Sequence, residues 1–356
     1  LTHAPPDVRS ELLALPRWPI VLGVIATAIW GVAMRGMLAG LWTVPGDYAQ
    51  LRHAHSHGGV YLVVFPLCVL AWRHLGVPSV GRRTMVWYYA AGASSIVTFS
   101  LAGYSVFSIV ASTIVAGGWL LAAYRGRSVL QQQGALRLMP VAFVLVTAFI
   151  PPIAILTRRN PAMATMLVHS FLATLFLLIA LPAALRRIGA VPLDARMYAP
   201  SALLAAAYLG AWPVAIASAG LLGVAALLSW TLLRSPIERA HRLAFLGFVA
   251  GSVALVVLGP VSHNTTIGGL HYLLLGPLFM ALAPVYGVMA WCIFAAAAAM
   301  GASLVGFSWL GPSLAHTIAS AAGVAWAAFA TIGLVRAWRD TTGRTERAVH
   351  GASAVP

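Results

Sequence analysis

Residues 51–74 read LRHAHSHGGVYLVVFPLCVLAWRH. Between Ala54 and Trp72 there is no Asp, Glu, Lys or Arg, and Arg73 and His74 close the run. A helix over 54–72 rises 1.5 Å per residue and reaches about 28 Å, close to the about 30 Å of a bilayer's hydrocarbon core. The stretch is therefore predicted to be a membrane span, with imidazoles at one end and a cation at the other.

The rest of the chain repeats this pattern. Of its 356 residues 61% are hydrophobic and 8% charged, whereas a soluble domain carries about 25% charged residues. A soluble enzyme or binding module is excluded. Apolar runs bounded by Arg, Gly and Pro predict helices over 18–42, 54–72, 84–102, 104–124, 138–157, 162–185, 197–211, 213–233, 243–260, 266–283, 285–308 and 314–337. Two of the divisions rest on a proline at the split, Pro213 and Pro284, because proline starts a helix well and interrupts one badly. The reading is an all-α integral membrane protein, a twelve-span bundle over 18–338 with cytoplasmic tails at 1–17 and 339–356.

Charge supports this topology. Every basic residue is Arg, and 18 of the 22 fall into six clusters at the ends of the runs. They are Arg9 and Arg17; Arg73, Arg82 and Arg83; Arg125, Arg127 and Arg137; Arg186, Arg187 and Arg196; Arg234, Arg239 and Arg242; and Arg336, Arg339, Arg344 and Arg347. With twelve spans and a cytoplasmic N-terminus all six clusters share the cytoplasmic side, as the positive-inside rule demands. The formal charge of +15 is thus a topological signal, and no nucleic-acid partner is expected. The expected location is a bacterial inner membrane. The opening LTHAPPDVRS lacks a basic region followed by an apolar segment and a cleavage site, so targeting is expected to rest on the first span. Cys68 and Cys292 offer neither a CxxC motif nor a disulfide framework.

The seven acidic residues, Asp7, Glu11, Asp47, Asp194, Glu238, Asp340 and Glu346, all fall in predicted loops or tails. That removes the intramembrane carboxylates that proton-coupled carriers commonly use and the carboxylate di-iron sites of helix bundles. Histidines remain. His53, His55 and His57 open helix 2, His169 lies in helix 6, His263 and His271 flank the start of helix 10, and His316 opens helix 12. All these helices run inward, so the imidazoles share a layer, His169 and His271 roughly 8–12 Å below the outer surface. A lone intramembrane histidine also serves merely to bond helices together. Several at one depth, without acidic partners, point instead to ligands for haem iron, copper or zinc.

On helix 2, His53 and His57 share a face at i and i+4, while His55 points about 200° away from His53. One face could chelate a metal while the other meets a haem. The pairs Gly58–Gly59 and Gly268–Gly269 would admit a flat macrocycle or a neighbouring helix. Arg35, Arg158 and Arg159 lie away from the cytoplasmic clusters and are candidates for anchoring haem propionates, which Arg grips in bidentate fashion; lipid headgroups or Asp47 are the alternative partners. His3, His74, His241 and His350 fall in loops or tails and are expected to be solvated.

Twelve helices with histidines on the outer halves of helices 2, 6 and 10 resemble the haem-copper oxidase and nitric oxide reductase superfamily. Its catalytic subunit carries haem and copper ligands on those helices and on helix 7. His263-Asn264-Thr265 followed by His271 is similar to its H-(D/N/G)-T run, in which an axial haem ligand comes eight residues later, and Val168-His169 resembles a copper-ligand helix. The chain departs at Leu273, where a second helix-10 histidine would stand, and at Gly210 to Trp212, which lacks the histidine pair for copper. Both departures count against a complete oxygen-reducing centre, and the lack of intramembrane carboxylates counts against proton pumping.

A second likeness is to the NnrS family of haem- and copper-containing proteins linked to nitric oxide. It is carried by His53-Ala54-His55, by Ile150-Pro151 with Thr157-Arg158, and by Leu270-His271 through Gly276. These resemblances imply a protein that binds haem b and copper and acts in redox or nitric oxide chemistry, with electron-donor or complex subunits as partners beside the lipid bilayer. The implied cofactor residues are His55, His57, His271, His316, Arg35, Arg158 and Arg159, and the metal set His53, His57, His169 and His263. A transporter with His53, His57 and His263 as an outer capture site is the rival reading. A non-catalytic subunit of a larger respiratory or monooxygenase complex is the third.

Overall fold

The histidine-rich stretch forms one helix, α2 (Tyr48–Arg73). It begins at Tyr48 and not at residue 54 because the Asp47 carboxylate accepts the N–H of Ala49 at 2.7 Å, capping the first turn. The computed structural model describes residues 18–44, 46–78, 80–132, 134–190, 196, 198–207, 214–258 and 263–352, with side chains at all of these except 74, 135, 158, 214, 258, 263 and 339–352.

Among the described residues every regular element is helical. Besides α2, the long helices are α1 (Trp18–Ala39), α3 (Arg82–Ala102), α4 (Val106–Gln131), α5 (Met139–Arg159) and α6 (Pro161–Arg187) in the first half of the chain. The short α7 (Tyr198–Ala207) follows, then α8 (Val214–Arg234), α9 (Arg239–Leu258), α10 (Asn264–Leu282), α11 (Gly287–Val305) and α12 (Pro312–Ala352). Their starts use ordinary caps: Ser105 and Ser108 form a capping box for α4, and the Asn160 side chain accepts the N–H of Met163 ahead of Pro161.

Eleven of these helices are long and apolar enough to cross a membrane, so the chain is a multi-pass, all-helical membrane protein. The expected count of twelve is met only in part. The seventh segment, expected over 197–211, is a helix of 10 described residues, well short of the about 20 that a span needs. The break expected at Gly210 to Pro213 lies outside the described residues. The other division is present: α10 ends at Leu282 and α11 starts at Gly287. Large apolar side chains such as Leu101, Phe107 and Trp309 are exposed on the outside of the bundle, as a surface facing lipid allows.

Three helices form the centre. The share of buried residues is 67% in α2, 61% in α6 and 50% in α10, against 22–44% in the other eight spans. Consecutive helices pack on one another around them, and α12 packs on α1 to close the ring. Between helices in lipid the drive is close packing rather than hydrophobic transfer. At Gly268 of α10, an added Cβ would lie 2.9 Å from the carbonyl oxygen of Gly301 in α11, so this glycine serves helix approach.

Each central helix contains one widened, π-helical turn: Gly59–Val64 in α2, Thr174–Ala180 in α6 and Leu274–Leu278 in α10. The cause is in the sequence. Pro66, Pro182 and Pro277 lack an N–H and crowd the carbonyl four residues earlier, and the ladder escapes by reaching back five residues. Phe65 N–H thus bonds Val60 O, and Leu181 N–H bonds Phe176 O. Beyond these turns the segments Phe65–His74, Leu181–Arg187 and Phe279–Leu282 all touch one another. Arg73, Arg186 and Arg187 end two of them. This is the arginine end; the histidines occupy the opposite, N-terminal halves of the same helices.

Candidate cofactor site

At the histidine end the central helices part around a cavity of about 730 Å3. That lies within the about 300–1,000 Å3 of small-molecule and cofactor sites. Its wall is mostly apolar, with Leu and Val the commonest residues, and carries His53, His55, His57, His169, His271, Arg35 and Arg52. Rising 1.5 Å per residue, His169 sits about 12 Å along α6, and His57 about 13 Å along α2, farther than expected because α2 starts at Tyr48. His316 is shallower, about 6 Å along α12, and is not part of the cavity wall.

His55 and His271 come together. Their ring centres are 6.0 Å apart and their planes differ by only 9°. His55 Nδ1 lies 2.8 Å from the carbonyl of Thr27 in α1, and His271 Nδ1 lies 2.8 Å from that of Ile267 one turn back. A carbonyl only accepts, so each Nδ1 carries the proton and each neutral ring keeps its lone pair on Nε2. Among the described residues no hydrogen bond uses either Nε2. This arrangement, Nδ1–H fixed to a backbone oxygen and Nε2 open, is the one metal-ligating histidines use. Gly31 permits it: a Cβ there would fall 2.8 Å from His55 Cε1.

The other face of α2 is different. His57 donates Nδ1–H to its own helix at His53 O, 2.8 Å away, and its ring lies 4.0 Å from that of Phe99 and 6.2 Å from that of His53. Tyr104, in the turn between α3 and α4, stands edge-on to His53 at 4.8 Å. Burial raises the Tyr104 phenol above its usual range, which keeps it a neutral donor. His169 joins this cavity from α6. Among the described residues, however, no three His, Cys, Asp or Glu side chains converge as a metal-holding group. The expected set of His53, His57 and His169 therefore lines one cavity without forming one cluster. The side chain of His263 lies outside the described residues.

Of the expected anion anchors, Arg35 reaches the cavity. Its guanidinium donates to His316 Nδ1 at 3.3 Å, which leaves the His316 proton on Nε2 and places that ring behind Arg35. No carboxylate among the described residues partners Arg35. Arg159 is exposed at the end of α5 and lies off the cavity wall, and the Arg158 side chain lies outside the described residues. His241, expected in a solvated loop, is instead fully buried in α9, with Nδ1 at 3.1 Å from the Glu238 carboxylate at the arginine end.

No protein-family model, curated protein or solved structure matches the chain. Site chemistry must therefore be argued from geometry alone. The residues that sequence reading passed over are aromatic: Phe99, Tyr104 and Trp326 line the cavity, and Tyr88 sits behind it. Apolar spans hide such positions, because an aromatic residue there is unremarkable without its neighbours. A usable signal did exist in Pro66, Pro182 and Pro277, each downstream of a histidine in a central helix.

Proposed function

We propose that the protein binds a b-type haem between His55 of α2 and His271 of α10 and acts as a redox protein of the bacterial cytoplasmic membrane, with its arginine end cytoplasmic. The single observation that carries the reading is the His55–His271 pair: near-parallel rings with centres 6.0 Å apart, standing on the wall of one apolar cavity. Metal–nitrogen bonds to imidazole run about 2.0–2.1 Å, so His55 and His271 would hold a haem iron through their Nε2 atoms at a ring separation near the observed 6.0 Å. The residues fit the group. Both Nε2 atoms are available, and Arg35 is a cation in the wall that would meet a propionate. Held by His55 and His271, such a haem would supply single-electron transfer.

The haem-copper oxidase and NnrS-like resemblance of the sequence agrees with this reading and extends it to nitric oxide or oxygen chemistry. Copper is its second part: His53 and His57, on the opposite face of α2, supply two imidazoles, and His169 a third from across the cavity. The transporter reading would need the contact of all three central helices at the arginine end to open.

The test is an absorption spectrum of the purified protein with metal analysis. A Soret band, the sharp visible bands of a six-coordinate low-spin haem and one haem iron per chain are expected. Absence of haem, with stoichiometric copper or zinc, would overturn the reading in favour of a metal carrier.

A further inference from the structure

The three widened turns are not alike in how their backbone is satisfied. In α2, Phe65 N–H bonds Val60 O and passes over Tyr61 O; that oxygen accepts the phenol of Tyr88, on α3, at 2.6 Å. In α10, Phe279 N–H bonds Leu274 O and Gly276 O and passes over Leu275 O, which accepts the indole N–H of Trp326, on α12, at 2.8 Å. In α6, Leu181 N–H bonds Phe176 O and passes over Leu177 O, and no side-chain donor among the described residues takes its place. The two turns capped by an aromatic donor are those beneath His55 and His271.

Such a cap has consequences for aim. In an α-helix each residue turns the chain by about 100°. One residue gained in a widened turn therefore rotates the histidine half of the helix by about that angle against the half packed at the arginine end. If Phe65 N–H returned to Tyr61 O, the histidine half of α2 would turn and carry His55 away from Thr27 and from His271. Pro66 opens the turn, and the phenol of Tyr88 favours the opened form by pairing the oxygen left there without a helical donor; Trp119 Nε1–H holds the phenol in turn at 3.1 Å. Trp326 does the same for α10, with its ring braced on Phe279 at 5.0 Å.

We propose that Tyr88 and Trp326 are positioning residues for the His55–His271 pair, acting through the carbonyls of Tyr61 and Leu275. The proposal rests on the haem reading above but can fail separately from it. Tyr88 is the cleaner case because it does not line the cavity. Tyr88→Phe removes one hydroxyl and keeps the ring. Tyr89→Phe, the next residue on the same helix, removes a buried phenol with no hydrogen-bond partner among the described residues, and serves as the matched control.

Electron paramagnetic resonance of the oxidised protein reads the angle between the two imidazole planes, and carbon monoxide difference spectra of the reduced protein read any open axial position. The wild type and Tyr89→Phe should give the rhombic signal of near-parallel rings and no carbon monoxide complex. Tyr88→Phe and Trp326→Phe should keep their haem, show a changed g-anisotropy, and raise the carbon monoxide-reactive fraction about fivefold or more, the factor that one lost hydrogen bond implies. Unchanged signals in both variants, or equal changes in Tyr89→Phe, would overturn the positioning role while leaving the haem reading intact. If one variant does not accumulate, the other decides. A wild type without haem would instead defeat the underlying reading.

Discussion

At the histidine end α2, α6 and α10 stand apart around a cavity of about 730 Å3, whereas at the arginine end the same helices touch through Phe65–His74, Leu181–Arg187 and Phe279–Leu282. Their buried histidines follow the difference. His271 spends Nδ1–H on its own helix and leaves Nε2 on the cavity wall, while His241 bonds a carboxylate that is itself tied to Gly287 N–H at 2.8 Å. Both rings keep an Nε2 without a partner among the described residues, but His271 stands on the cavity wall whereas His241 lies in the packed arginine end, away from that wall. Neither burial nor the partner of Nδ1 separates a site from a brace; what the open Nε2 faces does.

The sharpest way to break this comparison is to delete imidazoles on either face of α2. His55→Ala or His271→Ala should abolish the low-spin haem spectrum, since each supplies one side of the pair. His53→Ala should leave it, because its ring faces Tyr104 and Phe99 on the other side of the helix. Equal losses in all three, at equal expression, would mean that the two faces are not distinct.

A smaller change tests the close approach of α1. Gly31→Ala places a Cβ 2.8 Å from His55 Cε1 and 3.2 Å from its Nδ1, so the ring must leave its bond to Thr27 O. Partial loss of haem or a shifted spectrum is expected. Gly59→Ala meets only Thr27 Cγ2 at 3.5 Å, an ordinary contact, and should be silent in the same titration with haem.

Arg35 gives a graded effect. Removing a cation near the iron favours the oxidised form, so Arg35→Leu should lower the midpoint potential by on the order of tens of millivolts. Potentiometric titration measures it. A rise, or no change, would place the guanidinium away from the cofactor. His316→Ala, which only removes the group behind Arg35, should move the potential less.

The long apolar runs and the arginines at their ends made the spans legible in the sequence, since bilayer thickness and the charge rule act on composition. The start of α2 was not, because YAQLRHAHSHG is polar enough to pass for a loop until Asp47 is seen capping it. For the same reason His241 passed for a loop residue, although α9 begins at Arg239. Histidine depth could be counted from the sequence. Pairing could not: His55 and His57 were equal candidates to face His271, and a widened turn breaks the 100° register on which such a choice rests. The prolines announced the widened turns, but the donors that hold two of them, Tyr88 and Trp326, come from other helices and carry no local mark.

The arginine end supplies the weakest and most selective test. Glu238 accepts Gly287 N–H at 2.8 Å and faces His241 Nδ1 at 3.1 Å, so it clasps the start of α9 to the start of α11. Hydrogen bonds to a charged group contribute about 1.5–3 kcal/mol, and this carboxylate, 30% exposed, is partly screened, which lowers the expected cost of Glu238→Ala to about 1–2 kcal/mol. Unfolding in detergent should register that loss. The haem spectrum should not change, because neither Glu238, His241 nor Gly287 lines the cavity. A spectral change at unaltered stability would show that the two ends are coupled, and the division of labour argued from His271 and His241 would have to be redrawn.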